Sequence, residues 1–297
     1  MRDVSKPPRR YSWLTLLVYG AVRWVLEHCG GRAFYRWRLG RGGLTVVQLD
    51  VCLPDLPPEL DGLRAVQISD LHAGPFLDER ALDPVVELVV AHNPQLLFVT
   101  GDLITDTVDD RQLLGDVFGR LPAPLGKFAV FGNHDYRQRR EGELVHWLRR
   151  QGVRTLRNSS AAVQLSGATV RVMGLEDLEE GKLCDLDGAL AEGQQSDDLT
   201  VLLCHHPAVL EQLPSGRFDL VLCGHSHGGQ IVLPVLGPIR GRGEGVPAES
   251  GGALGGGGWW HVNRGLGVLL VPFRFRAPAE VTWITFRRGS GQGSSPI

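Results

Sequence analysis

Five strand-like runs in this chain each end in side chains suited to holding a metal ion, and this constrains the fold more than any other feature. The runs are Ala65 to Ser69, Leu96 to Thr100, Phe128 to Phe131, Val201 to Cys204 and Leu220 to Cys223. They lead into Asp70-Leu71-His72, Gly101-Asp102, Gly132-Asn133-His134-Asp135, His205-His206-Pro207 and Gly224-His225-Ser226-His227-Gly228-Gly229-Gln230. Side chains at the strand ends of an open α/β sheet converge on one rim, where such folds place ligands. Imidazole, carboxylate and amide oxygen together suit borderline divalent metals such as manganese, iron or zinc.

The surrounding pattern predicts an α/β fold. Strands at Arg64 to Ser69, Gln95 to Thr100 and Lys127 to Phe131 alternate with helices near Glu79 to His92, Asp110 to Leu121 and Glu141 to Gln151. That order calls for crossovers and a parallel sheet. Leu82, Val85, Val86 and Val89 fall on one helix face. The second half reads as short strands at Val153 to Leu156, Ala162 to Leu165, Thr169 to Met173, Leu199 to Cys204, Phe218 to Cys223, His261 to Asn263, Val268 to Val271 and Val281 to Phe286, with short helices at Leu186 to Ala191 and after Pro207. Gly237 to Gly258 lacks periodicity and reads as a mobile loop, and Gly289 to Ile297 as a disordered tail. Two stacked sheets with helices outside accommodate this set.

Within the segments, Asp70 and His72 flank one residue and leave the strand on the same side, as do His225 and His227. Asp102 follows a glycine, which allows close backbone approach and leaves its carboxylate able to bridge two ions. Asn133 offers a neutral amide oxygen.

The pattern DxH, GD, GNHD, H and GHxH, complete from Asp70 to His227, resembles the calcineurin-like metallophosphoesterase family, and the resemblance extends from about Leu44 to Phe286. It implies a four-layer α/β/β/α sandwich. It assigns Asp70, His72, Asp102 and His227 to one divalent ion and Asp102, Asn133, His205 and His225 to a second, with manganese the leading expectation. The family chemistry is hydrolysis of a phosphoester by a hydroxide bridging the two metals. His134 corresponds to the histidine that meets the substrate phosphate and protonates the leaving oxygen. Asp135 corresponds to the acid beside it, read either as orienting His134 or as a loop-capping carboxylate. His206 is either a substrate contact or an edge residue, and Arg264, in Asn263-Arg264-Gly265-Leu266-Gly267, is a candidate substrate-binding residue.

Composition bears on partners. Residues 1–43 carry nine Arg or Lys against Asp3 and Glu27, a balance of +7, so with −2 overall the remainder carries −9. An acidic body argues against gripping long nucleic acid. The leader is apolar or neutral from Tyr11 to Val22, short of the roughly 20 apolar residues of a bilayer span. It reads as an anchor on an anionic membrane surface, as a helix packed on its own domain, or as an export signal with Arg9-Arg10 in a twin-arginine-like position. The extended GHSHGGQ ending, the NRGLG segment and Pro272-Phe273-Arg274-Phe275 are similar to a bacterial membrane-associated subgroup containing enzymes like UDP-2,3-diacylglucosamine pyrophosphatase. That likeness implies a lipid-linked substrate at the cytoplasmic face. The glycine-rich loop carrying Arg240, Arg242, Trp259 and Trp260 reads either as meeting a lipid head group or as a solvated loop with its tryptophans packed on the body. Cyclic-nucleotide or small-nucleotide hydrolysis and a non-catalytic scaffold are the alternatives. The domain plan is thus a leader over 1–43, a metallophosphoesterase domain over 44–288 and a tail over 289–297. The five cysteines, Cys29, Cys52, Cys184, Cys204 and Cys223, form no CxxC pair, and Cys204 and Cys223 read as buried hydrophobes.

Overall fold

The computed structural model describes residues 21–22, 24–181, 185, 197–238 and 250–290. Fourteen strands build the fold among them: β1 (Leu44–Leu53), β2 (Arg64–Ile68), β3 (Leu96–Thr100), β4 (Gly126–Val130), β5 (Val153–Thr155), β6 (Ser159–Leu165), β7 (Ala168–Gly174), β8 (Leu199–Leu203), β9 (Leu220–Cys223), β10 (Val232–Leu233), β11 (Gly237–Pro238), β12 (Gly251–Ala253), β13 (Trp259–Val262) and β14 (Ala279–Arg288). One six-stranded sheet runs β1-β14-β2-β3-β4-β5 and the other β12-β13-β9-β8-β7-β6, while β10 and β11 form a small hairpin. In the first sheet β2, β3, β4 and β5 are parallel, and in the second β7, β8, β9 and β13 are parallel.

Both faces of the central strands are buried, which is why the sequence shows near-continuous apolar runs there. Leu96 and Phe98 of β3 and Phe128 and Val130 of β4 meet Val201 and Leu203 of β8 and Leu220 and Leu222 of β9 between the sheets. Their strand neighbours Leu97, Val99 and Ala129 turn the other way, toward the Asp83–His92 and Glu141–Arg150 helices, against Val85, Val89, Leu144 and Leu148. Across the second sheet Leu202, Val221, Cys204 and Cys223 pack with Val209 of the Pro207–Glu211 turn of 3-10 helix. Cys204 and Cys223 are thus buried in this hydrophobic layer, neither in a disulfide.

Three expectations need correction. The helix expected from Asp110 to Leu121 is divided into a Val108–Leu114 3-10 segment and a short Val117–Arg120 helix, because Thr107 and Asp110 cap a tight turn that closes at Gly115. Val268 to Val271 is not a strand: the Gln230 side chain stands in for a pairing strand, accepting from Leu269 N (2.9 Å) and donating to the Leu269 carbonyl (2.9 Å). The glycine-rich stretch is partly ordered, since Gly251–Ala253 pairs with β13 as β12. The expected Leu186 to Ala191 helix, most of the Tyr11 to Val22 stretch, Arg240, Arg242 and residues 291–297 lie outside the described residues.

The packed unit extends back to Gly31. The Gly31–Arg38 helix buries Tyr35 and its following Leu39, and the Tyr35 hydroxyl donates to the Leu266 carbonyl at 2.5 Å. Arg32 donates to the Gly74 and Pro75 carbonyls, both at 3.0 Å, and Arg36 pairs with Asp78 at 2.7 Å. Among the described residues no helix is long and apolar enough to cross a membrane.

Candidate metal centre

The loops after β2, β3, β4, β8 and β9 meet at one edge of the sandwich. His72 Nε2 lies 3.0 Å from His227 Nε2 and 3.3 Å from Asp102 Oδ2, and His227 Nε2 lies 3.4 Å from Asp70 Oδ1. On the other side of the same Asp102 oxygen stands His205 Nε2 at 3.4 Å, and His205 Nε2 faces His225 Nδ1 at 3.2 Å. Asn133 Oδ1 is buried without a hydrogen-bond partner. Asp102 Oδ2 thus lies within 3.4 Å of two predicted ligands, His72 and His205; His227 and Asp70 join through His72, His225 joins through His205, and the sequence neighbour of His134 adds an orphaned carbonyl oxygen. The donor set is nitrogen and oxygen, as borderline divalent ions prefer.

The supporting contacts hold these atoms ready. His205 Nδ1 donates to the Thr100 carbonyl at 2.7 Å, which turns Nε2 inward toward Asp102, the usual support of a metal-binding histidine. Asp70 accepts from Ser69 Oγ at 2.5 Å and from the His225 amide at 3.1 Å. Asp102 Oδ1 accepts the His134 amide at 2.9 Å, which leaves Oδ2 to face the imidazoles. Gln67 joins the sheets beneath the site, donating to Thr100 Oγ1 (2.9 Å) and to the Cys223 carbonyl (2.8 Å).

The backbone is unusual here. Asp70 (φ 47°), His72 (47°), Asp102 (52°), His225 (70°) and His227 (52°) all occupy the left-handed region. Such conformations cost on the order of 1–3 kcal/mol each and persist where the surroundings enforce them. The same crowding explains Gly101, whose φ is +91° and where a Cβ would fall 2.6 Å from His205 Nδ1.

Burial and charge act together on the titrating groups. Burial opposes a charge on Asp102, but the surrounding imidazoles, His205 foremost, hold its carboxyl well below the usual range. Burial likewise opposes protonation of His205, and Asp102 overcomes it, raising the imidazole well above its ordinary value. His134 is lowered by burial first; the Asp102 charge works against that and the Arg137 cation with it.

His134 stands beside His72 with ring centroids 4.6 Å apart. Its Nδ1 lies 2.7 Å from the Thr105 carbonyl and its Nε2 2.8 Å from Arg137 Nη2. With Nδ1 donating to the carbonyl, Nε2 accepts from the guanidinium. Asp135 does not orient this ring. Its Oδ1 accepts the Leu103 (2.9 Å) and Ile104 (3.3 Å) amides and its Oδ2 the Gly132 amide (2.9 Å), so it is the loop-capping carboxylate of the second reading. Burial, then the Asp102 charge, push its carboxyl up to about 8. His206 accepts from the Ala208 amide at 3.1 Å, stacks 4.3 Å from His225 and lies 4.0 Å from Glu179.

Sequence reasoning passed over five residues. Arg137, three positions after His134, touches the ring that the motif singles out. Tyr136 donates to Glu176, which also takes Arg157 Nε at 2.6 Å, pinning the His134 loop to the second sheet. Glu280 of β14 anchors the Asn263 to Gly267 segment: its Oε1 meets His261 Nε2 at 2.7 Å and its Oε2 accepts Arg264 Nε at 2.5 Å. That segment supports Asp70, for Gly265 has φ +73° and its Cβ would lie 2.5 Å from Asp70 Cβ, while Gly267 N donates to the Asp70 carbonyl at 2.7 Å. His261 is therefore a buried core histidine held through Nε2 by Glu280, with its Nδ1 left without a partner.

Burial alone would push Glu280 up, but the His261 hydrogen bond and the nearby cations hold it at about 2. A depressed carboxyl contributes stability at pH values above its unfolded pKa and loses it as pH falls through the folded one. The expected contribution is on the order of 3 kcal/mol near neutrality. In urea titrations the deficit of Glu280→Gln relative to wild type is expected to be full at pH 6 and to shrink between about pH 4.5 and 2. A deficit independent of pH would show that the charge plays no part.

The calcineurin-like phosphoesterase family model matches residues 63–229. A Bacillus subtilis (strain 168) relative, "uncharacterized metallophosphoesterase YkuE", is 33% identical over 236 residues, covering 78% of this chain and 82% of its own length. A Danio rerio "transmembrane protein with metallophosphoesterase domain" is 32% identical over 197 residues, 63% of this chain and 45% of that protein. An "uncharacterized metallophosphoesterase" of Aquifex aeolicus (strain VF5) is 28% identical over 239 residues, 77% of this chain and 87% of its own length.

Proposed function

The chain belongs to the calcineurin-like phosphoesterase family, and from that premise we propose that it hydrolyses a phosphodiester or pyrophosphate bond at a two-metal centre, in a lipid-linked substrate. The observation that carries the two-metal reading is the position of Asp102 Oδ2, 3.3 Å from His72 Nε2 and 3.4 Å from His205 Nε2. One ion would rest on Asp70, His72, His227 and Asp102, and the other on Asp102, Asn133, His205 and His225. Such a pair supplies Lewis acidity to phosphoryl oxygens and makes water a nucleophile near neutral pH.

The protein's own groups do the rest. Arg137 and His134 form one hydrogen-bonded unit that meets charge growing on the phosphoryl group, and His134 can protonate the leaving oxygen once Nε2 has taken up a proton from solvent and exchanged its Arg137 contact for the substrate. Arg264, held through Nε by Glu280, lies against the His225–Gly229 loop, where a Cβ on Gly228 would fall 2.7 Å from Arg264 Cγ. Its outer guanidinium edge binds a second phosphate oxygen.

The lipid part rests on the basic leader and on exposed Trp24, Phe34 and Trp37 near it. Such a composition suits an anionic membrane surface. A cytoplasmic face fits a nucleotide-linked lipid, while export through the leader would exclude one. The test is a panel of detergent-solubilised UDP-2,3-diacylglucosamine, bis-p-nitrophenyl phosphate and cyclic nucleotides. A kcat/KM clearly highest for the lipid substrate is expected. Equal values for the lipid and the simple diester would remove the lipid part, and preference for cyclic nucleotides would replace it with nucleotide hydrolysis.

A further inference from the structure

Behind the metal centre lies a small cleft between the Gly31–Gly43 stretch and the Pro272–Pro278 stretch. Its walls include Tyr35, Arg38, Pro272, Arg274, Arg276 and Pro278, and no acidic residue lines it. Arg274 is only 8% exposed. Its guanidinium is held by neutral acceptors: the Gly267 carbonyl at 2.6 and 3.0 Å, and the His227 and Ala277 carbonyls, both at 3.2 Å. Among the described residues neither Arg274, Arg38 nor Arg276 is paired with a carboxylate. A buried cation without a counter-charge is costly, and buried charges are ordinarily paired. The five N–H groups of Arg274 are all engaged by these carbonyls and by His227 Nδ1, so it lends the cleft a buried positive charge, while the guanidinium groups of Arg38 and Arg276 supply the forks that suit phosphate oxygens.

The segments that form the walls also carry exposed apolar side chains. Phe34 (42% exposed) and Trp37 (51%) belong to the helical wall, and Phe273 and Phe275 (both 40%) to the other. Phe273 and Phe275 stack with ring centroids 6.3 Å apart. Exposed aromatic groups beside basic ones are what the interface of an anionic bilayer accommodates.

We infer that this cleft binds a phosphate-class anion, supplied by the head group of an acidic phospholipid, with the flanking aromatic side chains entering the interface. The site is separate from the metal centre and its occupation does not depend on which ester is hydrolysed. It does touch the centre: Arg274 reaches the His227 carbonyl and, at 3.3 Å, its ring Nδ1. The surface that holds the membrane therefore also braces a metal ligand.

The test compares the full-length protein with Arg38→Gln/Arg276→Gln and with Arg38→Lys/Arg276→Lys, all carrying the same leader and the same metal centre. Binding is measured to phosphatidylcholine vesicles with and without phosphatidylglycerol, and to inorganic phosphate as the difference between the proteins. Each basic group near an anionic surface contributes enough that losing two is expected to weaken binding to the acidic vesicles roughly thirtyfold. Binding to neutral vesicles and the melting temperature are expected to be unchanged, the lysine variant is expected to retain most of the vesicle affinity, and millimolar phosphate is expected to compete. If the glutamine variant loses phosphate binding but holds acidic vesicles like wild type, free phosphate is the ligand and the head-group assignment falls. If it binds both like wild type, the site itself is refuted.

Discussion

Replacing Asp102 with alanine is expected to strip the centre of bound metal and to lower turnover by more than about 10³-fold, the upper range for loss of a single electrostatic group in an active site. The size follows from the number of tasks this one carboxylate performs. Oδ2 stands between His72 and His205, and Oδ1 takes the His134 amide at 2.9 Å, so its removal opens both ligand groups and releases the loop bearing His134. The fold itself is expected to survive, because Asp102 also repels Asp70 and Asp135 in the buried site. Metal analysis of the purified protein and the melting temperature with added manganese separate these effects. Wild type gains stability from an ion that binds only the folded state, and Asp102→Ala gains none. A variant retaining wild-type metal content and activity would remove Asp102 from the centre.

His134→Ala is expected to keep its metal and to lose about 10²–10⁴ in kcat, the range for a positioned acid or base. The His134 ring packs edge-on against His72, but its nitrogens are engaged by the Thr105 carbonyl and Arg137. The two substitutions therefore part company in metal content while both lose activity. Activity of His134→Ala within a few fold of wild type would show that the leaving oxygen takes its proton elsewhere. Arg137 makes a second measurement informative, since it donates to the nitrogen that would have to carry that proton.

The candidate ligands could be picked out because each follows a buried strand, buried strands announce themselves as apolar runs, and the motif spacing resembles that of the family. Periodicity also placed the Asp83–His92 and Glu141–Arg150 helices, whose apolar faces repeat at helical spacing. It misplaced structure where side chains replace backbone pairing. Gln230 organises Leu269 to Phe273 through its amide, so an apolar stretch that resembles a strand is irregular. Asp135 shows the same limit at the site. Its neighbour in sequence is His134, but its carboxylate closes the turns at Gly132 and Leu103. Adjacency in the chain does not say which way two side chains leave a loop.

The leader shows another limit. Its basic and aromatic composition is visible from sequence, yet the packing of Tyr35 and Leu39 onto the body depends on Leu266 and Phe76, which are remote in the chain.

Residue chemistry and local periodicity alone determined that this chain holds metal-binding groups at the ends of buried strands, because ligand identity and strand burial are properties of short segments. Only the tertiary structure decided that one Asp102 oxygen would lie within 3.4 Å of two imidazoles, that five candidate ligands would be held at positive φ, and that Arg274 would be buried beside His227 among neutral carbonyls. Those outcomes depend on which distant loops meet at the sheet edge, and the energy that enforces them comes from packing across both sheets rather than from any segment by itself.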